Sequence, residues 1–252
     1  MSSEVILEAL GLSRSFGGVK AVDEVSFTLH KNEVLGVIGP NGSGKTTLVN
    51  LLTGFVKPNQ GQVLYQGRDI TGWPPYKVAQ LGIARSFQMV KPFYQLPAFK
   101  NLNVALYSPR VRGLVGGRYG DRDAVAKDLL EEVGFERDSW VINQQAASLP
   151  HGYLKRLELA KCMALRPEVL VLDELFSGLS LAEVASLVPV IEKLVAQGKT
   201  LLMIEHRLKE LFRIADRVIV LNFGRKIAEG EPAVVMEDPQ VKGAYLGTEA
   251  EG

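Results

Sequence analysis

The chain has 252 residues, with 29 Lys plus Arg against 28 Asp plus Glu for a net charge of +1, and it is 46% hydrophobic and 23% charged. That balance argues against a disordered polymer and leaves no cationic excess for sequence-independent nucleic-acid binding. The one cysteine, Cys162, rules out an intramolecular disulfide, and a chain this long buries a sizeable core without covalent staples.

In chain order, residues 5–10 and 26–30 read as short β-prone segments, the second alternating Phe27 and Leu29 with polar neighbours. Residues 34–38 form the largely apolar run expected of a strand covered on both faces. Gly39 to Gly44 break that run, after which Leu48, Leu51 and Leu52 predict a helix over 45–53 that stops at Gly54. Residues 62–66, followed by Gly67, predict another strand and turn. From about 91 to 148 the pattern turns helical. Leu96, Phe99, Leu102 and Leu106 fall at helix-compatible intervals, and 124–133 reads as an amphipathic helix stopped by Gly134. Between them, 108–123 combines Gly113, Gly116, Gly117 and Gly120 with Arg110, Arg112, Arg118 and Arg122, which reads as a flexible basic loop. Residues 154–165 predict a helix and 169–173 an apolar strand ending in acid. The helix predicted over 181–197 is entered through Ser180, with Glu183 three residues on, a capping-box pattern. Strand 200–204, helix 207–214 and strand 217–221 continue an alternation that implies a parallel α/β sheet. The expected architecture is an α/β core interrupted by a helical insert at about 90–150.

No apolar run approaches the roughly 18 to 20 residues of a membrane-spanning helix. Residues 1–10 hold Glu4 and Glu8 without a basic flank and do not read as a signal peptide. The expectation is a soluble, intracellular chain that reaches a membrane only through a partner.

Gly39-Pro40-Asn41-Gly42-Ser43-Gly44-Lys45-Thr46 fits the phosphate-binding pattern G-x-x-x-x-G-K-[ST], between a predicted strand and a predicted helix as that chemistry requires. The glycines let successive backbone N–H groups point inward, and the helix N-terminus adds about half a positive charge. Lys45 has the length to reach β and γ phosphates, and the Thr46 hydroxyl suits Mg²⁺. Leu170-Val171-Leu172-Asp173-Glu174 is an apolar strand delivering two carboxylates to the sheet edge where open α/β folds bind ligands. Asp173 is the candidate Mg²⁺ holder. Glu174 is the candidate general base for the water that attacks the γ-phosphate, a role typically worth 10²- to 10⁴-fold.

Taken with Gln88 after Ile83-Ala84-Arg85-Ser86-Phe87, with Leu149-Pro150-His151-Gly152-Tyr153 and with His206, these elements resemble the ATP-binding subunit of an ABC transporter. The resemblance spans residues 5–247. It is nearest to the branched-chain amino-acid type through Ser15-Phe16-Gly17-Gly18-Val19-Lys20-Ala21-Val22, Gly82 to Gln88, and Asn222-Phe223-Gly224-Arg225-Lys226-Ile227-Ala228-Glu229-Gly230. It implies an α/β P-loop NTPase core over about 1–90 and 150–240, with an N-terminal antiparallel β subdomain. It also implies an inserted α-helical subdomain over about 91–149 and a C-terminal tail over 241–252.

The same resemblance implies that MgATP is held by Phe16, Val22, the loop from Gly39 to Thr46 and Thr47, with Leu149 and Gly152 serving nucleotide across a dimer. Phe16 is expected to stack on adenine, against the plainer reading of a core ring. Gln88 would contact Mg²⁺ or the attacking water, and His206 the γ-phosphate. Implied partners are a second ATP-binding subunit, identical or homologous, two membrane permeases and, indirectly, an extracytoplasmic solute-binding protein, with no nucleic acid. The implied location is peripheral, on the cytoplasmic face of the inner membrane. The implied activity is ATP hydrolysis driving uptake of a small solute, a branched-chain amino acid or a related compound. A non-transport ABC-type ATPase would call for fused halves or a long coiled-coil insertion, and a small-molecule kinase would need neither His206 nor a signature helix.

The sequence departs from the family pattern where Leu-Ser-Gly-Gly-Gln is usual. Pro150 replaces the serine and His151 a glycine, leaving Leu149 and Gly152. Pro150 is suited to start a helix with backbone N–H groups from Gly152 onward still facing phosphate, a reading preferred to a crippled site. Nucleotide binding is therefore expected to survive, while the composite site that uses this signature is weakened. Leu175 stands where proline is usual, and Ser180, in place of an aspartate, is explained as a helix cap. The aromatic-rich stretch from Lys91 to Phe99 is open between a groove for a permease helix and subdomain core. The basic residues from Arg112 to Arg122 suit a solvated loop better than a lipid contact. Cys162 has no positioned base.

Overall fold

In the computed structural model, residues 4–111, 121–137 and 139–246 are described. The elements run β1 (Val5–Phe16), β2 (Val19–His30), β3 (Val34–Ile38), α1 (Lys45–Leu52), β4 (Gln60–Tyr65), β5 (Arg68–Asp69), α2 (Pro75–Leu81) and β6 (Ile83–Arg85). They continue α3 (Asn103–Leu106), α4 (Arg122–Glu132), α5 (His151–Ala164), β7 (Val169–Asp173), α6 (Leu181–Ala196), β8 (Thr200–Ile204), α7 (Leu208–Ile214), β9 (Arg217–Asn222), β10 (Arg225–Gly230), α8 (Pro232–Val235) and α9 (Pro239–Leu246). Contacts divide the chain into two compact units, one of residues 1–78 with 198–252, the other of residues 79–197. The insert expected at about 91–149 lies within the second.

In the first unit, β2-β1-β4-β5 form an antiparallel sheet. β1 and β2 make one long hairpin turning at Gly17-Gly18, longer than the short strands expected from sequence. Register shifts between Ala9 and Arg14 interrupt the alternation there, so the hydropathy pattern breaks while the pairing continues. Beneath it, β3 lies parallel to both β8 and β9, and β10 returns antiparallel along β9. Every residue of β3 and β8 is buried, as their largely apolar character favours, Thr200 being the buried polar exception. This geometry brings the loop after β3 to the C-terminal edge of a parallel sheet.

In the second unit, β6 pairs parallel with β7, Arg85 opposite Val171. α5 is packed by α4 and α3, with Leu102, Leu106, Leu130, Leu157 and Ala160 among the buried side chains. The helix suggested by Leu96, Phe99, Leu102 and Leu106 does not form as one element. Residues 99–102 are a 3₁₀ turn leading into α3, because Pro97 bridges to Gln145 and the Leu96 carbonyl accepts from the Ala146 N–H instead of from a helical turn. α4 starts at Arg122, earlier than expected, since the Asp121 carboxylate caps it by accepting from the Asp123 N–H at 2.8 Å. α5 likewise starts at His151, directly after Pro150. The reading of a flexible basic loop falls largely on residues 112–120, outside the described residues. Of its flanking arginines, Arg110 donates to the carbonyls of Leu81, Leu165 and Arg166, and the Arg122 guanidinium lies 4.1 Å from the Tyr107 ring centroid.

Candidate functional site

The candidate residues fall on both units, and each half is built locally. In the first, β3 ends at Ile38 and the chain turns through Gly39 at φ 146°. A Cβ on Gly39 would lie 2.1 Å from the Leu221 carbonyl oxygen, and one on Gly44 (φ 104°) 2.3 Å from that of Ala21, so neither position admits a side chain. Ser43 N–H donates to the Pro40 carbonyl at 3.2 Å, and the Gly224 N–H to the Ser43 carbonyl at 3.0 Å, pinning the loop to the β9–β10 turn. Lys45 opens α1, is buried, and donates its Nζ to the carbonyls of Gly39 and Pro40 at 2.8 Å each. Thr46 is exposed and Thr47 half-buried beside the helix N-terminus, while Asn41 and Gly42 lie exposed at the tip.

Phe16, at the end of β1, is 45% exposed, which settles against a core ring, and the Arg14 guanidinium stands 4.7 Å from its centroid. Val22 is buried in β2 opposite Arg14. His206 is exposed just beyond β8, its carbonyl accepting from the Leu208 N–H at 3.1 Å. The sequence offered no reason to involve the C-terminal segment. Nevertheless, Tyr245 of α9 receives a hydrogen bond from the Gly39 backbone, and burial pushes its phenol up to about 12. A cavity of about 650 Å³ between the loop and α9 is lined by Pro40, Asn41, Ser43, Phe223, Gln240 and Ala244.

In the second unit, β7 carries Asp173 to its buried end, and the next residue, Glu174, takes a left-handed φ of 51°. Arg85 on neighbouring β6 donates Nη2 to Asp173 Oδ2 at 2.7 Å, both side chains being almost wholly buried. Ser86 Oγ accepts from the Asp173 N–H at 3.1 Å. Gln88, three residues past β6, donates Nε2 to Glu174 Oε2 at 2.6 Å, so two of the candidate side chains are brought together directly. Arg85, Ser86 and Lys155 form the surroundings of these acids and were not singled out by sequence. The available clue was a charged residue inside a three-residue buried strand that precedes Gln88.

The same unit holds the departures from the signature pattern. Leu149 is buried, Pro150 takes φ −55° ahead of α5 without a side-chain cap, and His151 Nε2 lies 3.4 Å from the Ser177 carbonyl oxygen. Ser180 and Glu183 form the anticipated capping box. Hydrogen bonds from the Ser180 backbone and hydroxyl, aided by the Gly152 N–H and the charge of His151, hold the Glu183 carboxyl below the usual range. Within the stretch from Lys91 to Phe99, Phe93, Tyr94 and Leu96 are at least two-fifths exposed while Pro92 and Ala98 are buried, so it is mostly surface, as are the neighbouring Phe87 and Met89. Cys162 is buried and its thiol is pushed up by burial, as suits an inert core residue.

No group of three or more His, Cys, Asp or Glu side chains able to hold a metal occurs among the described residues. The hydroxyl of Thr46, the carboxylate of Asp173 and the amide oxygen of Gln88 are all hard oxygen donors. Few protein oxygens, completed by phosphate and water, are what Mg²⁺ takes.

Residues 22–177 match the ABC transporter family, and residues 225–251 match the family described as branched-chain amino acid ATP-binding cassette transporter. The chain is 38% identical, over 97% of its length and 99% of theirs, to the high-affinity branched-chain amino acid transport ATP-binding proteins BraF of Pseudomonas aeruginosa and LivG of Escherichia coli. Among solved structures it is similar to a nucleotide-free ATP-binding cassette from an ABC transporter. That match has TM-score 0.83 and 31% identity, and covers 96% of this chain and 98% of that one. A cassette in its ADP conformation matches equally well, with TM-score 0.83 and 31% identity over 97% of this chain and 100% of that one.

Proposed function

The chain belongs to the ABC transporter family as an ATP-binding subunit, and from that premise we propose that it hydrolyses MgATP to drive uptake of a branched-chain amino acid or a chemically related solute. The observation that carries this reading is the pair of local constructions just described. One is a glycine loop with a lysine held at its mouth; the other is a buried acid followed by a glutamate that Gln88 holds by hydrogen bond. Backbone N–H groups of residues 41 to 47, leading into the N-terminus of α1, receive the triphosphate, with Lys45 exchanging carbonyls for phosphate oxygens. Phe16 offers a ring face to adenine and His206 donates to the γ-phosphate, whereas Val22, wholly buried, supports the strand from beneath and does not meet the base. Thr46, Asp173 and Gln88 would be the residues to hold Mg²⁺, which would supply charge neutralisation to the phosphates. Glu174 accepts the proton of a water as its oxygen bonds to the γ-phosphorus. The bond from phosphorus to the β–γ bridging oxygen breaks, and ADP and phosphate leave.

Two ATP molecules would sit between this subunit and a second ATP-binding subunit, each reached by a helix start such as Leu149 to Gly152. The nucleotide would favour the closed pair because it makes contacts available only there. No helix among the described residues is long and apolar enough to cross a membrane. In this reading the transport path belongs to permease partners. The exposed Phe87, Met89, Phe93 and Tyr94 suit an apolar permease segment and support peripheral association with a membrane; the cytoplasmic face and an extracytoplasmic solute-binding protein complete the proposal. The test is Glu174→Gln, which leaves MgATP affinity unchanged and lowers turnover by at least roughly 100-fold. Parental turnover in that variant would refute the base assignment. For the solute, reconstituted uptake of leucine should require this chain and fail with Lys45→Ala.

A further inference from the structure

α5 buries a lysine. Lys155 is 1% exposed, among the largest of the fully buried side chains, although a lysine in a helix normally carries its ammonium to water. An ammonium is kept inside only where its N–H groups meet acceptors. Lys155 Nζ donates to the Gln88 carbonyl at 2.9 Å and to the Glu174 carbonyl at 3.0 Å. With the Gln88 amide donating to the Glu174 carboxylate at 2.6 Å, three residues close a ring of hydrogen bonds. Lysine fixes both backbones, and the two other side chains fix each other. Glu174 also sits at φ 51°, a conformation that a residue with a Cβ adopts only when its surroundings hold it there. The charged donor on its own carbonyl is such a hold.

We propose that Lys155 is a positioning residue: it locks the backbones of Gln88 and Glu174 together from α5, so that the glutamate's carboxylate is presented in one orientation and moves only with Gln88 and α5. The proposal rests on Glu174 acting as the base. Its consequence is that displacement of α5 or of the segment after Gln88 reaches the base through one side chain.

Lys155→Met keeps the aliphatic stem and removes the ammonium. The experiment measures steady-state ATP turnover and equilibrium MgATP binding of the full chain, beside Glu174→Gln. Lys155→Met is expected to lower kcat roughly 10- to 100-fold, the scale of a misplaced catalytic group, while the Kd for MgATP stays within about threefold. Lys155→Arg, which restores N–H donors, should recover part of kcat. A kcat within twofold of the parent overturns the proposal, as does a loss of kcat matched by an equal loss of binding. If Lys155→Met does not fold, Lys155→Gln is judged by the same split between kcat and Kd. Parental turnover in Glu174→Gln overturns the base reading itself. Lost turnover there, with parental turnover in Lys155→Met, overturns only the role of the lysine.

Discussion

The buried pair of Arg85 and Asp173 makes a quantitative prediction. The guanidinium and carboxylate meet at 2.7 Å with side-chain exposures of 7% and 3%, so both charges have left water and each depends on the other. Arg85→Met preserves the length and much of the volume of the stem but strands the carboxylate. Removing one partner of a buried pair costs about 3–5 kcal/mol, because an uncompensated charge stays in the interior. Part of the guanidinium's other contact, 5.4 Å from the Phe87 centroid, is at a half-exposed ring and adds at most about 1 kcal/mol. For a chain of this length the loss corresponds to a thermal midpoint lowered by roughly 6 to 20 °C. Adding Asp173→Asn removes the stranded charge and should recover most of the lost stability, while the proposed role of Asp173 toward Mg²⁺ predicts that turnover is lost in the double variant. Urea denaturation of the parent, both single variants and the double variant measures this directly. An Arg85→Met loss below about 1 kcal/mol would refute the reasoning, as would a double variant no more stable than Arg85→Met.

Other outcomes follow from the same contacts. Ser180→Ala removes the hydroxyl that accepts from the Glu183 N–H at 3.3 Å and donates to its carboxylate at 2.8 Å, and should cost about 1 kcal/mol in denaturant unfolding, with nucleotide affinity unchanged. Gly44→Ala should abolish MgATP binding because its Cβ would meet a carbonyl oxygen 2.3 Å away; Gly42→Ala, at φ 77° with nothing within 4 Å, should keep binding at a stability cost of about 1 kcal/mol, and isothermal titration of the two variants checks the contrast. The Tyr245 phenol is raised by burial from 10.0 to about 12, so its neutral form is favoured in the folded state. Its stability contribution is complete below pH 10 and is lost as pH climbs towards 12. Cys162, also raised by burial from 9.0, acts in the same direction, so the check is the difference between parent and Tyr245→Phe, which should have the flatter alkaline limb.

What could be read from the chain before its structure was what depends on neighbours in sequence. The loop from Gly39 to Thr46 is legible because its glycines, lysine and helix start are contiguous, and the Ser180–Glu183 cap because its partners lie one helical turn apart. The ends of α4 and α5 were misjudged by a few residues because their caps, Asp121 and Pro150, precede the periodic apolar positions. Strand β6 was missed because three residues show no period at all. The surroundings of the acids were hidden for a different reason. Arg85 lies 88 positions from Asp173, and Lys155 lies 67 from Gln88 and 19 from Glu174, distances over which no spacing rule operates. Tyr245 was passed over inside what read only as a tail, because its partner is a backbone group, which carries no side-chain identity to match.

The altered signature shows how a local substitution shifts a duty onto a neighbour. The start of any helix exposes backbone N–H groups and a partial positive charge that require an acceptor. In α5 the residue before the helix is Pro150, which offers no side-chain oxygen, so that acceptor must come from elsewhere. It comes from Glu183, whose carboxylate takes the Gly152 N–H as well as the Ser180 N–H at 2.8 Å, serving the first turns of α5 and α6 together. A Cβ on Gly152 would stand 2.6 Å from Glu183 Oε1, so a larger residue there would push the glutamate's flexible end aside. The same contact has an electrostatic consequence: an anion approaching the start of α5 meets a helix terminus that already holds a carboxylate. A phosphate bound there must share the Gly152 N–H with Glu183 or displace it, and neither leaves the full attraction of an uncapped terminus.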